Sequence, residues 1–106
     1  MEIYSIREPD LDKLVEIMAK MEELGGPVIK VVGIGSRYLA LEGSHRLPAA
    51  RAFGFRPVPI ILPREQLIDV SEYDWFKEED WPEKILPAGI VAERLFDRQK
   101  AVLYRF

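Results

Sequence analysis

The chain has no cysteine and no asparagine, one histidine and only two glutamines in 106 residues. Without cysteine there is no disulfide, no thiolate metal site and no thiol nucleophile. A single histidine without cysteine also cannot complete the usual tetrahedral zinc site. No apolar run is long enough to span a bilayer and no signal peptide is visible, so a cytoplasmic protein with no membrane partner is expected. A net charge of -3 and a pI near 5.2 lack the basic footprint of a general nucleic-acid binder. The scarcity of amides beside abundant Glu, Lys and Arg matches heat-adapted proteins. No repeat, linker or low-complexity tract interrupts the chain, and its length suits one domain over 1–106 with one core.

What is present reads as alternating strands and helices. Residues 2–6 predict a first strand with Ile3 and Ser5 on one side. Pro9 and Asp10 open a helix, Asp10 as N-cap, and Leu11, Leu14, Val15, Met18 and Met21 recur at helical spacing as its buried face. The two methionines read as core filler rather than ligands. Gly25-Gly26-Pro27 stops that helix. Residues 28–34 are β-branched and apolar, and 33–36 turn them into a hairpin with 37–41. Gly33 and Gly35 do not make a dinucleotide loop, because no helix follows at once and the third glycine is missing.

The densest chemistry lies in 39–62. An apolar strand reaches Glu42-Gly43-Ser44-His45-Arg46, an Ala-rich helix runs to Gly54, and a strand follows through Val58. Gly43 has no Cβ to block a ligand. The free N–H groups of the helix start favour an anion, and Arg46 adds a bidentate fork for phosphate. Pro48 fits only in the first helical turn, so the N-cap falls no earlier than His45. Leu47, Ala49, Ala50, Ala52 and Phe53 are expected to pack this helix on the sheet. Pro57 and Pro59 flank Val58 and predict a strand that begins at a sheet edge or a bulge. The turn therefore reads as a phosphate cradle of Gly43, Ser44, His45 and Arg46. Ser44 serves as a phosphate-binding hydroxyl or helix cap, since adjacent side chains rarely place a nucleophile within reach of its base. Glu42 suits magnesium or general-base work.

Beyond Pro63 the character changes. Residues 71–83 mix acids with Tyr73, Trp75, Phe76 and Trp81, read either as a core-covering loop or as a lid or partner surface. Residues 90–99 form an amphipathic helix with Val91, Leu95 and Phe96 inward, and 101–106 a closing strand. Arg37, Arg46, Arg51, Arg56 and Arg64 offer a local basic patch.

The central stretch resembles the ParB/sulfiredoxin superfamily through Gly43-Ser44-His45-Arg46, Ala49-Ala50-Arg51-Ala52, Gly54-Phe55 and Val58-Pro59-Ile60-Ile61. A looser likeness reaches back to Tyr4 and Ile6-Arg7-Glu8-Pro9. The resemblance implies an α+β fold, with a small mixed β-sheet and packed helices. It also implies a nucleotide, ATP or CTP, with its phosphates over the turn and Mg2+ as companion. Sulfiredoxin chemistry is excluded, because it requires a cysteine where Ser44 stands. Chromosome-partitioning members carry Glu at that position, an E-N-x-x-R box and a helix-turn-helix domain; neither addition is present here. Free-serine kinases are longer, and no amino-acid pocket is identified. Two readings follow. The first is a Mg-dependent phosphotransferase or nucleotide hydrolase, with Glu42 and His45 as its catalytic residues, His45 and Arg46 on the phosphates and Glu42 at the metal or as base. The alternative is a non-catalytic module docking nucleic acid or a protein partner through the arginines or the Trp75/Trp81 segment.

Overall fold

The structure is a computed structural model that describes residues 1–98 and 100–106. Strand β1 (Glu2–Ser5) buries Ile3 and Ser5 on one side, as its alternation predicts. Asp10 then caps helix α1 (Leu11–Leu24), its carboxylate accepting from the backbone N–H of Asp12 at 2.9 Å. A hairpin of β2 (Val28–Ile34) and β3 (Arg37–Ala40) leads through the cradle turn into α2 (Arg46–Phe53) and β4 (Val58–Leu62). A small sheet of β5 (Leu67–Asp69) and β6 (Ile85–Pro87) brackets two 3-10 turns, and α3 (Ala88–Arg98) and β7 (Val102–Arg105) complete the chain.

The main sheet has five strands in the order β4-β2-β3-β1-β7. Strands β1 and β3, and β2 and β4, run parallel, while β2–β3 and β1–β7 are antiparallel. The fold is thus α+β with a mixed sheet. Period-2 alternation divides its side chains between two layers. Ile3, Ile29, Val31 and Ala40 meet Leu47 of α2, against which α1 packs. On the other face Val32, Leu39, Leu41 and Leu62 meet Trp75 and the Val91, Ala92 and Leu95 stripe of α3.

Several expectations need correction. Leu11 and Val15 are 73% and 67% exposed; α1 instead packs through Leu14, Ile17, Met18 and Met21. At about 100° per residue, Ile17 continues the Leu14–Met21 stripe while Val15 turns off it. On α2 the packed side is Leu47, Ala49 and Ala50, and both Ala52 and Phe53 are exposed. The last helix begins two residues before Ile90, at Ala88, and Ile90 itself is exposed. Gln99, the expected end of that helix, lies outside the described residues. Of the edge or bulge that its prolines allowed, β4 is an edge strand, with Val58, Ile60 and Ile61 exposed along it.

Candidate functional site

The cradle turn forms where β3 ends. Leu41 still belongs to the sheet layer, its N–H donating to the Lys30 carbonyl at 3.1 Å. Gly43 then reverses the chain with φ +101°. An added Cβ would point at Ile29 Cδ1, 3.4 Å away, and not toward a ligand. The glycine is therefore required by the backbone dihedral, and the expectation that it clears room for a ligand is replaced by this one. Helix α2 follows with His45 as N-cap, Pro48 in its first turn, and Gly54 closing it at φ +73°.

The first backbone donors of this turn are free. Leu47 donates to the Gly43 carbonyl at 3.0 Å, but the N–H groups of Ser44, His45 and Arg46 have no acceptor among the described residues. No side chain caps the helix start. Such unsatisfied N–H groups carry the positive end of the helix dipole.

The side chains behave differently from one another. The imidazole of His45 accepts from the backbone N–H of Asp10 through Nε2 at 3.0 Å and lies 3.3 Å from Ser44 Oγ through Nδ1. With Nε2 accepting, the proton belongs on Nδ1, facing the Ser44 hydroxyl; this tautomer follows from the hydrogen-bond network. Both ring nitrogens are thus engaged within the protein. Arg46 donates to the Val28 carbonyl at 3.2 Å and pairs with Glu42 at 3.4 Å across one turn. Both charged groups are about one-third to one-half exposed, so this ion pair is weak and open to exchange with a ligand.

A cleft of about 300 Å³ opens beside Arg46, walled by Ile17, Lys20, Met21 and Leu24 of α1 and floored by residues 25–28. Its lining is mostly apolar, with Lys20 and Arg46 supplying the positive charge. The sequence reading missed this wall. Its only signal was the spacing of 17, 20, 21 and 24 ahead of the glycine pair. Gly26 holds the floor in place: a Cβ there would lie 2.6 Å from the Arg56 carbonyl oxygen.

The aromatic segment is a wall of the core. Trp75 is fully buried, stacks on Tyr73 at 4.8 Å, and donates its indole N–H to the Leu41 carbonyl at 2.6 Å. That bond fixes the strand end from which Glu42 projects. Tyr73 stands close enough to Glu42 to be affected by it. Burial first, then the carboxylates of Glu42 and Glu72, push its phenol above the ordinary range. The covering-loop reading of 71–83 therefore describes Trp75.

The five arginines do not form one patch. Arg37 holds Glu2 and the Tyr4 hydroxyl, and Arg64 holds the Gly33 carbonyl and Glu93. Arg46 stays at the turn, and Arg51 and Arg56 line a common cleft. Among the described residues no group of three His, Asp or Glu side chains could hold a metal ion. The donor set thus fits Mg2+ only in part, with Glu42 as its one carboxylate and a ligand's oxygens needed for the rest. No helix among the described residues is long and apolar enough to cross a membrane. Comparison with family models, with curated proteins and with solved structures returns no match.

Proposed function

We propose that the chain binds a nucleotide, ATP or CTP, and uses it as a phosphotransferase or nucleotide hydrolase of the ParB/sulfiredoxin type. One observation carries this reading: three unanswered backbone N–H groups, at Ser44, His45 and Arg46, the last of which also lines an apolar cleft. Phosphates suit the N–H groups and the guanidinium. A nucleobase suits the cleft, whose size lies at the lower end for small-molecule sites. His45 contributes its backbone N–H to the phosphates, and its ring positions the turn against α1.

In the transfer, the acceptor oxygen bonds to the γ-phosphorus while the bond to the bridging oxygen breaks. The electron pair leaves with the nucleoside diphosphate, and the carboxylate of Glu42 takes the acceptor proton. Mg2+ would be held by the phosphate oxygens and would supply charge neutralisation; Glu42 would be its protein ligand only as the alternative to acting as base.

The test is heat protection by nucleotide, since a ligand that binds only the folded chain stabilises it by about 2.7 kcal/mol at one hundred times its Kd. ATP or CTP with magnesium should raise Tm in the native chain. In Arg46→Lys, affinity should fall several-fold, because the lysine keeps the charge but loses the fork. The ligand-free Tm should move little, given the exposure of the Glu42 pair. A large loss of ligand-free stability with unchanged nucleotide protection would instead make Arg46 a strut between Val28 and Glu42.

A further inference from the structure

The sequence around α1 caps that helix only in part. Asp10 answers the first helical N–H groups, its carboxylate accepting from Asp12 at 2.9 Å and from Lys13 at 3.5 Å. In a capping box the third helical residue is Glu or Gln, and it answers the N–H of the N-cap residue in return. Here that third residue is Lys13, whose side chain has no acceptor. The missing acceptor comes from 35 positions away: Nε2 of the half-buried His45 takes the Asp10 N–H at 3.0 Å.

That replacement makes the contact conditional on a proton. A neutral imidazole has one accepting nitrogen, whereas an imidazolium has two donors and no acceptor. Histidine changes charge between about pH 8 and 5, and His45 is the only histidine in the chain. The Ser44 hydroxyl, 3.3 Å from Nδ1, can accept from the ring in either state and so does not oppose the change. The charged residues of the two segments that meet here are Glu8, Asp10, Asp12 and Lys13 at the start of α1, and Glu42 with Arg46 in the turn. Acids outnumber bases among them, so the ring can take a proton without facing a net positive surround. We propose that His45 is a proton-operated latch between α1 and the 43–46 turn. Neutral, it completes the cap of α1 and holds the turn against it. Protonated, it lets go of the Asp10 N–H and leaves a cation beside the unanswered N–H groups of the turn.

The latch needs no bound nucleotide, so NMR of the ligand-free, 15N-labelled chain tests it across the histidine range. At the alkaline end, the ring nitrogen shifts should show Nδ1 protonated and Nε2 accepting. A scalar coupling should cross the hydrogen bond from the Asp10 amide nitrogen to Nε2. On acidification the coupling should vanish, and the Asp10 amide should shift with the midpoint of the ring itself. In His45→Gln, whose side chain accepts without titrating, the Asp10 amide should show no such step. Stability carries the same sign. The folded chain favours the neutral ring and the unfolded chain does not, so wild type should lose Tm relative to His45→Gln as pH falls through this range. The α-amino group of Met1 titrates there as well, but it is common to both chains. Any of three results would overturn the proposal: a neutral ring protonated on Nε2, an Asp10 amide indifferent to the ring's titration, or a Tm difference that stays constant throughout.

Discussion

The backbone N–H of Asp10 donates to Nε2 of His45 across 3.0 Å, joining the N-cap of α1 to the N-cap of α2. One imidazole thereby fixes where the first helix starts relative to the cradle. His45→Ala should lower stability by about 1 kcal/mol, the usual net value of one hydrogen bond. His45→Gln, which retains an acceptor, should recover part of that loss. Urea unfolding of the two variants makes the comparison. Equal stability of wild type and His45→Ala would mean that the ring does not position the turn.

Gly43 and Gly54 both have positive φ, but at +101° and +73° they are not equivalent. Gly54 lies near the left-handed well that non-glycine residues reach at a cost of about 1 kcal/mol. Gly43 lies well beyond it, where backbone strain runs to about 1–3 kcal/mol. Gly43→Ala should therefore melt lower than Gly54→Ala. The reverse order in a melting comparison would show that the turn can relax to another backbone shape.

Ser71 sets an acid-side dependence. Its hydroxyl donates to Asp69 at 2.5 Å and its backbone N–H at 2.9 Å, and together they hold that carboxyl below its usual range. A carboxylate depressed in the folded state adds stability above its unfolded pKa. That contribution disappears as pH falls through the lower folded value. Ser71→Ala removes the larger cause, so wild type should exceed the variant at neutral pH and the gap should close on acidification. A gap constant from acid to neutral pH would mean that the hydroxyl acts through packing alone.

Punctuation residues made much of this architecture readable in the sequence. Asp10 begins α1, Pro48 and Gly54 bracket α2, and Pro57 with Pro59 places β4 at an edge, each for a local steric or hydrogen-bonding reason. Sheet alternation likewise places Ile3 and Ser5 inward without any knowledge of their partners. What was not readable depends on distant contacts. Leu11 and Val15 have the right spacing for a buried face, but α2 lies against the neighbouring stripe. The paired strands 67–69 and 85–87 are too short for periodicity to register. His45 meets Asp10 from 35 positions away, and nothing in either neighbourhood announces it. At residues 43–46, sequence identified the turn, and the fold set a cleft walled by α1 beside Arg46.

The central claim is that the free N–H groups of Ser44, His45 and Arg46 receive the phosphates of a nucleotide. Amide chemical-shift mapping during titration with ATP, and separately with CTP, in the presence of magnesium reads those groups directly. The account predicts saturable shifts centred on the amides of Ser44, His45 and Arg46, with smaller ones along Lys20, Met21 and Leu24. Absence of saturable shifts at millimolar nucleotide, or shifts confined to residues outside the turn and its cleft, would contradict it.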